Sequence, residues 1–244
     1  MKRWFIYPAE IFKPFECFME WELVTIIAES NSWKTTFAMD IISKNAELWR
    51  KGYYINLEFP IRQVRESRRL FNHWKTKINL TDLAPLTESE EQDKERYVDE
   101  CLKKFAYYNS PKWISLNELV NVINQKAMEW FELFVVDTFS KIEWNLMKDP
   151  RANQNKCMEV FQELAQRLWI ALVLLHHTNR AGTFEWSQKI MDLSNVFIVM
   201  TKQDWDWAIP DYRTFKLSKD KYITKTEIDV RYNNGVYYDY YKQW

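Results

Sequence analysis

Glycine is what this chain most lacks. Three glycines in 244 residues is far below the ~7% of average usage, and Gly52, Gly182 and Gly235 are too far apart to form a phosphate-cradling loop of the usual glycine-rich kind. Cysteine is equally few in number. Cys17, Cys101 and Cys157 are too widely spaced for a metal or disulfide framework, which points to a reducing, intracellular setting. No apolar run approaches the ~20 residues that span a bilayer, and the N-terminus carries charges and aromatics instead of an apolar signal core. A cytoplasmic protein with no membrane partner is expected. Net charge is also missing, because 34 basic residues balance 34 acidic ones. Any polyanion must therefore be held by a local patch and not by bulk charge.

Tryptophan is present in excess. Thirteen tryptophans and three glycines together come close to the roughly 17 glycines that average usage would give. The length fits one large α/β domain with a substantial core, and no repeat or low-complexity segment divides it.

The pattern of the chain alternates strands with helices. Leu23-Val24-Thr25-Ile26-Ile27 reads as a strand, and Phe37, Ala38, Ile41 and Ile42 follow at helical spacing. Gly52 to Glu58 is a second strand ended by Pro60, and Ile61 to Lys77 a basic helix. Thr87-Glu88-Ser89-Glu90 is a capping box that opens a charged helix to about Lys104. Phe105 to Asn109 makes a short strand, Leu116 to Met128 a helix, Phe131 to Thr138 a doubly buried strand and Cys157 to Leu168 a helix. Strands at Ile170 to Leu175, Val196 to Thr201 and Tyr212 to Ser218 follow. Glu227 to Tyr232 and Tyr237 to Tyr241 form a hairpin across Asn233-Asn234-Gly235. Such alternation predicts a doubly wound, mainly parallel sheet with ligands at the carboxyl ends of its strands. The expected division is an irregular N-terminal cover over residues 1–20, a core over about 22–222 and a C-terminal hairpin over 223–244.

Polar groups sit at those strand ends. Ser30-Asn31-Ser32-Trp33-Lys34-Thr35-Thr36 lies between the first strand and its helix, where GxxxxGK[ST] would use backbone N–H groups and a helix N-terminus to hold phosphates. There the Lys reaches the β/γ oxygens and the hydroxyl binds Mg²⁺. Both glycines of that pattern are absent, with Ala28 and Trp33 in their places. Glu58, Asp137 and His177 end three later strands, and Lys219-Asp220-Lys221 follows near the end.

In this order the motifs resemble the RecA-like ATPases, in the branch of the RepA and DnaB hexameric replicative helicases, over roughly Glu22 to Tyr222. The resemblance implies a Mg-ATP-dependent motor acting on DNA, expected to be single-stranded, as a homo-oligomeric ring in replication or recombination. It assigns Lys34 and residues 30–36 to the phosphates, Thr35 and Asp137 to Mg²⁺, Glu58 to the general base and His177 to the γ-phosphate sensor. Lys219 and Lys221 match a Lys-x-Arg pair that reaches a neighbour's γ-phosphate; Lys221 lacks the bidentate fork of Arg. Lys141, Lys148, Arg151, Arg180 and Lys189 become candidate DNA-phosphate contacts. The other reading is a catalytically inactive RecA-fold adaptor with a decayed phosphate loop.

Several tryptophans fall where the family has glycine. Besides Trp33 these are Trp21 and Trp169, each just before a strand, and Trp186 before Ser187. A UGA codon decoded as glycine in the cell but translated as tryptophan accounts for all four.

Overall fold

The computed structural model describes residues 4–29, 33–58, 86–103, 105–109, 113–143, 150–178, 188–202, 212–220, 226–233 and 236–239. The predicted basic helix at Ile61 to Lys77 and the residues Ser30, Asn31, Ser32, Lys148, Arg180, Trp186 and Lys221 lie outside them.

In chain order the strands are β1 (Trp4–Ile6), β2 (Cys17–Met19), β3 (Leu23–Ala28), β4 (Gly52–Asn56), β5 (Phe105–Asn109), β6 (Ile114–Ser115) and β7 (Leu133–Asp137). They continue with β8 (Ile142–Glu143), β9 (Ala171–His177), β10 (Val196–Lys202), β11 (Tyr212–Lys219), β12 (Thr226–Asn233) and β13 (Val236–Asp239). The helices are α1 (Lys34–Glu47), α2 (Glu88–Lys103), α3 (Leu116–Met128), α4 (Pro150–Leu168) and α5 (Gln188–Leu193).

Nine strands form one sheet in the order β13-β12-β11-β10-β3-β9-β7-β4-β5. The six from β10 to β5 are mutually parallel, and β11, β12 and β13 extend the sheet antiparallel. The architecture is α/β with a C-terminal antiparallel hairpin, as the alternation predicted.

Successive strand residues point to opposite faces, and this divides the core in two. Val24, Ile26 and Ala28 of β3, with Val135 of β7 and Val173 of β9, face α1 residues Phe37, Ala38, Ile41 and Ile42. Leu23 and Ile27 of the same strand, with Phe134 and Leu172, join α3 and α4 through Leu119, Ile123, Met158 and Phe161. Burial on both faces is why these strands read as continuous apolar runs instead of alternating ones.

Local signals hold where the chemistry is local. Thr87 and Glu90 form the reciprocal cap, with Thr87 N donating to Glu90 Oε2 at 2.8 Å and Glu90 N to Thr87 Oγ1 at 3.3 Å. The N-terminal stretch differs from the irregular cover expected from Pro8 and Pro14. β1 and β2 pair as an antiparallel hairpin around a 3-10 helix at Glu10–Phe15. The reason is its aromatic content: Phe5, Phe12, Phe15 and Phe18 are fully buried and pack toward Phe37 and Phe215.

Buried polar groups are tied to partners across the fold. Asn195 Oδ1 accepts from Leu23 N at 2.9 Å, and Thr25 and Ser194 hydroxyls meet at 2.7 Å. Asp40, fully buried in α1, accepts from the Tyr237 hydroxyl of β13. That bond ties the C-terminal strands to α1, since a buried carboxylate needs a donor.

Candidate functional site

The parallel order β4-β7-β9-β3 brings four chain segments, remote in sequence, to one edge of the sheet. Asn56 lies beside Asp137 and Ala28 beside His177 in register. The groups that follow or end those strands, Glu58, Asp137, His177 and Lys34, therefore stand side by side at the carboxyl edge.

Their contacts are direct. Thr35 Oγ1 donates to Asp137 Oδ2 at 2.6 Å, and the Tyr54 hydroxyl donates to the same oxygen at 2.6 Å. Asp137 is 2% exposed, and its other oxygen, Oδ1, is buried without a hydrogen bond among the described residues. Burial pushes the Asp137 carboxyl above its ordinary pKa, against the pull of the Thr35 and Tyr54 donors.

Lys34 Nζ donates to the carbonyls of Ala28 at 2.9 Å and Glu29 at 2.7 Å and lies 3.1 Å from His177 Nδ1. Burial brings its pKa down to about 8, although Asp137, Glu58 and Glu29 favour the charge. Because an ammonium only donates, His177 Nδ1 must accept, which puts the ring proton on Nε2. That nitrogen lies 3.4 Å from Glu58 Oε1. Burial, reinforced by the Lys34 charge, lowers the His177 pKa, so the ring is neutral near pH 7. A chain Lys34–His177–Glu58 thus links the three residues for which the resemblance implies phosphate binding, γ-phosphate sensing and general-base roles. Glu58 is held from the other side, its N–H donating to Asn56 Oδ1 at 3.2 Å.

Trp33 is the N-terminal cap of α1, with φ 66° and ψ 14°. Its carbonyl accepts from Phe37 N at 2.8 Å, and the Arg213 guanidinium stands 4.1 Å over its ring. Thr36 occupies the first turn of α1.

Other expected residues lie elsewhere. Lys219 ends β11, which runs against β10, and pairs with Phe197 near the start of that strand. It is therefore on the amino edge, opposite Lys34, with Nζ donating to the carbonyls of Met191 at 2.8 Å and Asp192 at 2.5 Å. Lys189 pairs with Glu159 at 2.6 Å, and Lys141 Nζ sits 5.2 Å over the Trp113 ring.

Sequence reasoning missed two neighbours. Tyr54 had a signal, since period-two alternation puts it on the same face of β4 as Asn56. Arg213 had none, because only the pairing of Lys202 with Arg213 across β10 and β11 brings it to the carboxyl edge near Trp33.

No described protein family and no curated protein matches the sequence. Solved structures do. A DnaB-like replicative helicase, solved to show its interactions with primase, superposes with a TM-score of 0.71 at 12% identity. The match covers 89% of this chain and 57% of that one, so the chain spans little more than half of that helicase. An isolated ATPase domain superposes at 0.72 and 14% identity, over 91% of this chain and 86% of its own. A KaiC-like protein of Pyrococcus horikoshii superposes at 0.68 and 15% identity, over 98% of this chain and all of its own. The fold is that of the RecA-like P-loop ATPases, including the DnaB-like replicative helicases.

Proposed function

We propose that this chain binds Mg-ATP at the carboxyl edge of its sheet and hydrolyses it as a RecA-fold motor of the DnaB type, in the cytoplasm, acting on single-stranded DNA in replication or recombination as a homo-oligomeric ring. The observation that carries the reading is the convergence of Lys34, Thr35, Asp137, His177 and Glu58, joined by direct contacts, from four separate strand ends.

The residues fit a Mg²⁺ ion. Asp137 Oδ1 is buried without a donor, and the Thr35 hydroxyl stands beside the same carboxylate, giving two hard oxygen ligands. Among the described residues no cluster of three or more His, Cys, Asp or Glu could hold a metal alone, which suits Mg²⁺, an ion that takes one or two protein ligands with phosphates and water. When bound, the ion would neutralise charge on the β- and γ-oxygens. Lys34, the N-terminal amides of α1 and the flanking residues Ser30, Asn31, Ser32 and Thr36 would orient the phosphates. Glu58 would accept the proton of the attacking water, and neutral His177 would report the γ-phosphate to Glu58 through its Nε2 proton.

A second reading, an inactive RecA-fold adaptor, draws on one observation. Trp33, its ring under Arg213, stands at the sequence position before Lys34, where the family pattern has glycine so that the backbone can approach a phosphate. Titration of Mg-ATP into the chain as written and into Trp33→Gly separates the two. Weak binding by the first, with tight binding and turnover stimulated by single-stranded DNA in the second, is the motor's signature. Absence of turnover in both forms identifies the adaptor.

A further inference from the structure

Among the described residues six non-glycine positions have left-handed backbone. One is Glu16, and the other five are Trp21 (φ 70°), Trp33 (66°), Trp49 (63°), Trp130 (69°) and Trp169 (55°). Seven tryptophans are described in all; only Trp4 and Trp113 have ordinary φ. Left-handed backbone drives Cβ toward the next carbonyl oxygen, so bulky residues avoid it and glycine fills it. The indoles gain little in exchange, with Trp49, Trp130 and Trp169 at 78%, 74% and 62% exposure.

Each position is one that glycine normally fills. Trp49 and Trp130 are the residues after the C-caps of α1 and α3, and Trp169 directly follows the last residue of α4. Arg50 N donates to Asn45 O at 3.0 Å, Phe131 N to Lys126 O at 3.1 Å and Ile170 N to Ala165 O at 3.1 Å. The shorter partner bonds, Trp49 N to Ala46 O and Trp130 N to Ala127 O, are both 3.0 Å. This is the Schellman closure, whose left-handed residue is usually Gly. Trp21 is the third residue of a turn closed by Glu22 N to Met19 O at 3.2 Å, the position that demands φ > 0 in a type II turn. Trp33 precedes Lys34 in the phosphate loop.

We propose that the protein the cell makes carries glycine at 21, 33, 49, 130 and 169, each encoded by UGA and decoded as glycine. Trp49 and Trp130 enter on backbone conformation alone. The inference stands apart from the proposed activity, because four of the five positions are remote from the site. A rival reading makes an aromatic docking strip of Trp21, Trp169, Trp130 and Trp49, which precede the adjacent strands β3, β9, β7 and β4; the Trp21 and Trp169 rings are 5.1 Å apart. Docking accounts for the rings but not for their backbone. Glycine accounts for the backbone at every one.

Two experiments test it. Sequencing the gene and weighing peptides of the protein purified from its source should show UGA at all five codons and the mass of glycine in each peptide; UGG at these codons, or the mass of tryptophan, overturns the proposal. In recombinant protein, Trp49→Gly and Trp130→Gly should each raise Tm by about 2–8 °C, whereas Trp49→Ala and Trp130→Ala, which keep Cβ, should not. Equal Tm for the glycine and alanine variants at both sites would remove the conformational basis of the assignment.

Discussion

The two edges of the central sheet hold opposite kinds of information. At the carboxyl edge the side chains are specified: Lys34 meets His177 and Thr35 meets Asp137 through particular polar atoms, and exchanging any of them removes one of those contacts. At the amino edge the backbone matters. Trp21, Trp49, Trp130 and Trp169 turn the chain into strands β3, β4, β7 and β9 with left-handed φ, and the side chains of three of them are mostly in solvent. The difference separates two ways a position constrains its residue. A catalytic position restricts functional groups and tolerates several backbones, whereas a tight turn restricts backbone conformation and, through sterics, favours the residue without Cβ.

The largest expected effect lies on the carboxyl edge. In a Trp33→Gly background, Glu58→Gln should cut turnover by ~10²- to 10⁴-fold, with Mg-ATP affinity and Tm nearly unchanged. Full turnover in a single-turnover assay would mean that the water is activated elsewhere.

His176 tests whether that edge is uniform. Adjacent β9 residues face opposite sides, so His177 enters the site while His176 is buried beside Phe139, ring centroids 5.3 Å apart. Burial lowers the His176 pKa to about 4. The unfolded chain, with an ordinary His near 6.5, takes up this proton first. Stability is therefore fully present above pH ~6.5 and is lost as pH falls toward 4, by at most on the order of 3 kcal/mol. Urea midpoints across that range should show the loss, and His176→Leu should flatten the His contribution. Identical pH profiles for the two proteins would place the acid sensitivity in the carboxylates instead.

Lys219 is the residue that could break the comparison, being a charge at the amino edge with a chemical role expected of it. If it serves a neighbour's γ-phosphate, Lys219→Ala should lower turnover per subunit about tenfold or more without weakening ATP binding to an isolated subunit. Specific activity should then rise with protein concentration as rings assemble. Constant specific activity down to concentrations where the protein sediments as a monomer would leave Lys219 only its bonds to the Met191 and Asp192 carbonyls.

The smallest effect belongs to neither edge. Thr87→Ala removes one half of the reciprocal cap on α2 and should cost ~1 kcal/mol, visible as a small shift in the denaturant midpoint with turnover unchanged.

Much of the candidate site was legible as an ordered set of local pieces. Lys34-Thr35 after an apolar strand and His177 after another are ordinary strand ends when taken singly, and only Asp137, a charge ending a doubly buried strand, stands out alone; their order along the chain is what carries the resemblance. Tyr54 and Arg213 were not picked out in that way, as their roles arise from strands adjacent in space but distant in sequence. Trp49 and Trp130 were likewise invisible as glycine positions. Nothing in Leu48-Trp49-Arg50 or Glu129-Trp130-Phe131 marks a left-handed turn until the helix ends are seen to close.

By itself the sequence determined the alternation of strands and helices, the cap at Thr87 and which polar groups end which strands, because periodicity, capping and burial are properties of short stretches. Only the tertiary structure decided that β4, β7, β9 and β3 lie side by side, that the Lys34–His177–Glu58 chain closes, that Lys219 falls on the far edge and that five tryptophans hold glycine's backbone. Strand order and helix closure depend on which distant surfaces pack together, and no short stretch carries that choice.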